Sequence, residues 1–308
     1  MKRGKLLIIF LTILILLIVP LASAGFFSDF WGKITGKATS GTTALNITIG
    51  NAGPTIPIVD PIDATDPEIG STKSITFYFN ATDTDGYLNI DTDTAEAYFQ
   101  RAGEDTRSNT SCISTFTPSS GNSINFTCTI DMWYWDENGP WTINVSIQDI
   151  NDAYGENSTT TFTYNIQTAM TMSPPTLNWT GVGLTSTDVG SNNDPLTVNN
   201  SGNDINLNIN VTALNLRGEE TLTQFIYANN FTVQNVTEGC TAGTAMVNAT
   251  STNVTSSILQ RGNNTLNYNN ATSGQEQIFF CLKGVPQDIS AQSYSSSAYG
   301  SWTVAIIT

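Results

Sequence analysis

The sequence predicts an all-β chain of two sandwich domains, and three observations carry that prediction. Asn, Ser and Thr together supply 105 of 308 residues, beside fourteen Phe and ten Tyr. That mixture suits strands, because β-branched and aromatic side chains pack well on a pleated surface. Only 12% of residues are charged, which excludes coiled coils and helical bundles built on Ala, Glu, Lys and Leu. Period-two alternation recurs at residues 45–49, 75–79, 141–147, 205–211 and 302–306, between clusters of Gly, Asn, Asp and Pro. Many short strands punctuated by turns fold as sandwiches.

The N-terminus reads as an export signal over residues 1–24. Lys2, Arg3 and Lys5 precede an apolar run that Pro20 ends, and Ala22-Ser23-Ala24 has the small-x-small pattern of a cleavage site. The mature chain would start at Gly25. An uncleaved anchor is the alternative, since residues 6–22 approach the roughly 17 residues of a short membrane span; membrane contact is expected only if this segment is retained. A pilin-type signal cut after Gly4 is a third reading, against which Lys5 at the first mature position argues. In residues 25–43, Phe26, Phe27, Phe30, Trp31 and Ile34 share one face of a short helix before a Gly/Thr/Ser linker. Such a stripe rests on a membrane interface or a partner, or packs loosely after the signal.

Two prolines at Pro174-Pro175 make a stiff connector and divide the rest into domains 44–168 and 169–308. The halves echo each other: Gly139-Pro140-Trp141-Thr142-Ile143 resembles Gly300-Ser301-Trp302-Thr303-Val304, each after a strand that carries the second cysteine of a pair. A Trp opening a strand fills the end of a sandwich core, so structural repetition explains the echo.

Charge and residue type narrow the function. A net charge of −15 repels phosphate backbones, so no nucleic-acid partner is expected. Histidine is absent, which removes Ser-His-Asp and Cys-His catalysis and imidazole metal ligation. No nucleophile-elbow, zinc or phosphate motif occurs, and the chain is expected not to be an enzyme.

Four cysteines in an exported chain read as two disulfides. A hairpin centred on Ser120 places Cys112 opposite Cys128, Ser114 opposite Phe126 and Phe116 opposite Ile124. Elimination leaves Cys240 with Cys281, the latter within an apolar strand. Fifteen Asn-x-Ser/Thr sequons occur where chance would place about eight: Asn46, Asn80, Asn109, Asn125, Asn144, Asn157, Asn178, Asn199, Asn210, Asn230, Asn235, Asn248, Asn253, Asn263 and Asn270. Several alternate with apolar residues and so point to the solvent face of their strands, where a glycan fits.

Asp83, Asp85, Asp91 and Asp93, with Asn89 and Glu96, have a calcium-like spacing for a structural ion. An EF-hand frame around Gly86 would run from Ala81 to Thr92 and lacks its first and last ligands; a solvated Asx turn is the alternative. Trp133 and Trp135 beside Asp136 and Glu137 could bind sugar, although alternate aromatics also pack inward.

Residues 53–166 resemble PKD-type and cadherin-like immunoglobulin modules. The resemblance rests on Pro67-Glu68-Ile69-Gly70-Ser71, on Phe77-Tyr78-Phe79-Asn80-Ala81-Thr82-Asp83-Thr84-Asp85-Gly86, and on Trp141-Thr142-Ile143-Asn144-Val145-Ser146-Ile147-Gln148-Asp149. The Trp-Asp-Phe-Gly-Asp-Gly motif of PKD domains is missing. Asp149-Ile150-Asn151-Asp152 resembles part of a cadherin calcium linker. The layout as a whole resembles modular exported glycoproteins of archaea. The resemblance implies two immunoglobulin-like sandwiches at the cell surface, with structural or adhesive work and with other surface proteins or glycans as partners.

Overall fold

The computed structural model describes residues 44–116, 121–262, 274–297 and 299–308. Contacts divide the chain into residues 1–50 and one compact unit, residues 51–308. The export-signal and amphipathic readings of residues 1–43 lie outside the described residues, as do Asn263 and Asn270. Residues 45–49, expected as a strand, form no strand and are exposed. Alternation alone makes no strand: without a neighbour to complete its hydrogen bonds, a lone apolar ribbon gains nothing from its pattern.

The first sandwich contains β1 (Thr55–Val59), β2 (Thr72–Thr82), β3 (Ile90–Gln100), β4 (Arg107–Asn109), β5 (Ile113–Phe116), β6 (Ser123–Trp133), β7 (Gly139–Asp149) and β8 (Tyr154–Tyr164). One sheet has the order β1-β2-β6-β5 and the other β4-β3-β7-β8. This is the immunoglobulin order with β4 as an extra edge strand. Alternation sorts each strand into a core side and a wet side. Ile75, Phe77, Phe79 and Ala81 of β2 face Ile143, Val145 and Ile147 of β7, and Trp141 is fully buried among them. Phe79 stacks on Phe126 across the β2–β6 pair, their ring centroids 5.0 Å apart. Cys112 and Cys128 are bonded inside this core. The expected hairpin register holds at Ser114 opposite Phe126, and a bulge then shifts Phe116 to face Asn125 instead of Ile124. One extra residue on β5 accounts for the shift.

The second sandwich contains β9 (Met170–Ser173), β10 (Thr187–Gly190), β11 (Leu196–Asn200), β12 (Leu207–Thr212), β13 (Leu216–Gly218) and β14 (Phe225–Ile226). It continues with β15 (Phe231–Gln234), β16 (Thr244–Ala245), β17 (Ser251–Leu259), β18 (Gln275–Gly284), β19 (Tyr294–Ser295) and β20 (Thr303–Ile307). A sheet ordered β16-β15-β18-β11-β9, with β10 also against β18, packs on a three-stranded sheet ordered β17-β12-β20. A small ribbon, β14-β13-β19, is hydrogen-bonded to neither sheet and packs Ile226, Leu216 and Tyr294 against their shared core. The core between the sheets holds Leu196, Ile209, Val211, Phe231, Phe280 and Leu282, separate from the first core. Cys240 is bonded to Cys281 of β18. The expected connector at residues 170–175 is corrected: β9 pairs with β11 along Met170–Ser173, so the prolines follow a strand of the second sandwich. Residues 165–169 make the actual passage between sandwiches.

Asp194 lies between β10 and β11, where burial raises its carboxyl to about 6 against the lowering effect of the Phe280 and Ser191 amides. Its Oδ2 accepts the Phe280 N–H at 3.0 Å, while Oδ1 is buried without a partner. An unfolded aspartate titrates near 3.9, so between that value and about 6 the folded state binds more protons than the unfolded one. Stability therefore rises as pH falls from 7 to 5. Asp194→Asn should flatten that slope and stabilise the protein at pH 7 by ~1–2 kcal/mol after allowance for solvent screening. Thermal melts of both forms across this window check it.

Candidate functional site

Three features of residues 51–308 bring polar or aromatic groups together: a buried junction, a polar cluster at the far end of the first sandwich, and a groove in the second.

The junction forms where the β6–β7 turn and the loop after β3 meet the loops after β11 and β17. Arg261, 4% exposed, donates from Nη1 to Glu104 Oε2 at 3.0 Å and to the Trp135 carbonyl at 2.9 Å. Its Nη2 also pairs with Glu104 and reaches Glu137 at 3.4 Å. Arg107 holds the fully buried Asp136 through Nε at 3.0 and 3.1 Å. Asn203, also fully buried, donates to the carbonyls of Asp136 at 3.0 Å and Asn165 at 2.9 Å. Burial pushes Glu104 and Asp136 above the usual carboxylate range, outweighing the lowering effects of Arg261 and Arg107 respectively. Gly202 allows the close approach: a Cβ there would stand 2.0 Å from the Gln167 carbonyl oxygen. No sequence motif signals this junction. Its strongest cue is composition, since basic residues number only eleven.

The junction also corrects the sugar-platform expectation. Trp135 is 5% exposed and lies beneath Trp133, stacked at 4.6 Å. Its ring is unavailable to a ligand, its carbonyl serves Arg261, and Asp136 is inside the junction. Trp133, at 38% exposure, offers one outer face.

At the other end of the first sandwich, the calcium-like residues separate. Asp83 and Asp85 join Asn89, Asn51, Asp149 and Asn151, whereas Asp91 and Asp93 belong to β3, with the Asp93 amide bonded to Asp91 at 3.2 Å. The two acidic stretches of the sequence thus meet through Asn89, which donates to Asp83 at 3.0 Å and Asp149 at 3.4 Å. Asp149 accepts from Asn51 Nδ2 at 2.6 Å and from the Asn151 and Ala153 amides at 2.9 and 2.8 Å. Burial raises its pKa, but the Asn51 side chain and those two amides prevail and hold it below the ordinary range. Both buried carboxylates are therefore satisfied by N–H donors as an Asx-rich latch, and a cation would have to displace them. Among the described residues, the acid and cysteine grouping compact enough for a metal is Asp188 with Cys240 and Cys281, whose sulfurs are bonded to each other.

The groove has a volume of about 700 Å³. Its apolar floor includes Val211, Phe231 and Leu282, and its walls include Trp179, Val182, Trp302 and Val304. Trp179 and Trp302 both pack edge-on to Phe231, at 5.1 and 5.2 Å. Their indole N–H groups donate inward, to the carbonyls of Val189 at 3.1 Å and Leu214 at 2.8 Å. Both therefore present apolar surface. Among the described residues, no Asp, Glu, Lys or Arg lines the groove. Sequence alternation identified β20 but gave no sign of the groove, because residues 174–184, which roof it, have no periodic pattern.

No family model and no curated protein matches the chain. Among solved structures, a chain from a chaperone–tip adhesin complex of CFA/I fimbriae aligns over 76% of this chain and 76% of its own length. The identity is 12% and the TM-score 0.31, too remote for an argument.

The latch yields a stability test. Asp149→Ala orphans the Asn51 side chain and two turn amides and should cost ~2–3 kcal/mol, while a millimolar calcium chelator should leave the native melting temperature unchanged. A fall of several degrees on chelation would show that calcium, and not the amide donors, holds the cluster. Because the Asp149 pKa is depressed, its contribution is present at neutral pH and is lost only below about pH 4.

Proposed function

We propose that the chain is a non-enzymatic structural or adhesion protein of the outer cell surface, exported and N-glycosylated, with surface proteins or glycans as partners. The observation that carries this reading is the placement of buried charge. Arg261 pairs with Glu104 across the two disulfide-bonded sandwiches, beside the Arg107–Asp136 pair buried within the first, while among the described residues the groove contains no carboxylate or cationic side chain. General acid–base catalysis most often draws on a carboxylate, imidazole or amine at the substrate, and an activated nucleophile needs a base beside it. A fixed junction between cross-linked sandwiches instead suits a part that spaces or bears load. The thirteen described sequon asparagines are all exposed or half-buried, which supports the glycan reading. The archaeal setting rests on the resemblance of the layout.

The test is labelling of intact cells with a membrane-impermeant amine reagent, followed by intact-mass and N-terminal analysis. The reading expects labelling at the exposed Lys283, an N-terminus at Gly25 and a mass above that of the polypeptide. Protection of the protein in intact cells would overturn it.

Cross-strand geometry makes the glycan prediction sharper. Asn80 lies directly opposite Asn125, and Asn210 opposite Asn253. Each pair is hydrogen-bonded through its side chains, at 2.8 and 3.1 Å. Cβ atoms in such pairs are about 5 Å apart, too close for two attached sugars. Glycopeptide mass spectrometry should find no molecule with both members of either pair occupied.

A further inference from the structure

We propose that the groove of the second sandwich receives residues 45–49 of a second copy of the chain, added as a strand beside β20. The inference rests on the surface-structure reading and deepens it by naming the partner.

The donor is a strand without a sheet. Leu45, Ile47 and Ile49 are 81, 76 and 86% exposed, alternating with Asn46 and Thr48. In an extended chain the three apolar side chains share one side, and the polar pair, including the Asn46 sequon, faces the other. The acceptor is an unfinished sheet. The β17-β12-β20 sheet has three strands where its facing sheet has six, and among the described residues β20 pairs only with β12. Its other edge is therefore unpaired, and Trp302 and Val304 line the groove beside it. An added strand would complete the backbone hydrogen bonds of that edge while alternate side chains fill the pocket. Five donor residues match the five residues of β20.

Charge supports self-recognition. Two copies that each carry a net charge of −15 repel, so a lasting contact between them is best made where neither side is charged. Residues 45–49 contain no charged side chain and neither does the groove lining. Reach makes the donor intermolecular. Asn51 is tied to Asp149 at one end of β7, and the junction to the second sandwich lies beyond the other end, about 36 Å away across eleven residues. Even Leu45, at the far end of the donor, is six residues from Asn51, at most about 22 Å of chain. Donor and acceptor are different surfaces of one molecule, so repeating the contact builds a polar chain or a ring.

The test uses the full chain in sedimentation velocity, with a synthetic peptide of residues 44–50 carrying a diazirine analogue of leucine at position 45. Oligomers should grow with protein concentration, and more so at high salt, which screens the repulsion. Ile47→Asp lies outside both cores and should raise the dissociation constant at least tenfold with an unchanged melting temperature. The free peptide should dissolve the oligomers and, on irradiation, label the stretch from Ser301 to Val304 or the loop around Trp179. A chain that stays monomeric at all concentrations and salts would overturn the proposal. So would labelling confined to other surfaces, or a co-purifying apolar small molecule that the peptide fails to displace. Surface labelling of intact cells is independent of these outcomes, so the strand-addition proposal can fail while the surface reading stands.

Discussion

The arrangement of the two sandwiches depends on the burial of Arg261. A guanidinium keeps its charge at any pH a protein survives, so taking it out of water is tolerated only with acceptors arranged around it. Glu104 and the Trp135 carbonyl supply them from the first sandwich, while Arg261 itself belongs to the second. Removing one partner while the sandwiches stay docked would leave the other charge buried and uncompensated, a change that costs about 3–5 kcal/mol. The ion pair need not make the fold more stable than an apolar contact would. Its effect is to admit one orientation. Asn203 and Arg107 extend that constraint to the β6–β7 turn, so the aromatic run beside it is drawn into the junction.

With the junction at one end and the Asp149 latch at the other, the first sandwich is held at both ends of β7. The buried carboxylates respond to acid with different signs. Asp149 is held below the usual range by its donors and protects the fold at neutral pH, whereas Glu104, Asp136 and Asp194 are raised by burial and are easier to accommodate as pH falls. Within the junction Glu137 has the opposite direction: burial raises it, but Arg101 and Arg261 prevail and lower it. Mild acid therefore favours the second core through Asp194 while leaving the latch intact.

Much of the fold was legible because strand alternation is a local signal. Ile75, Phe77 and Phe79, or Trp141, Ile143 and Val145, face the core as their parity requires. The same rule misread residues 45–49, since parity says which side would be buried and nothing about whether a neighbour exists. Two prolines suggested a connector at residues 170–175, yet β9 ends just before them and pairs within the second sandwich. The junction was not legible. Glu104, Asp136, Asn203 and Arg261 are scattered over some 160 positions, each ordinary in its own surroundings, and only the tertiary fold joins them. The Asx latch was half legible: both acidic stretches and Asn89, which joins them, stood out, but Asn51, which donates to Asp149 and accepts from Asn89 and Asn151, carries no local signal.

The central claim is that buried polar contacts weld residues 51–308 into one body. Differential scanning calorimetry of the native protein and of Arg261→Met tests it most directly. The account expects one cooperative transition for the native protein, with calorimetric and van't Hoff enthalpies in agreement, and two resolved transitions for the variant. Two independent transitions in the native protein, unaffected by the substitution, would contradict it.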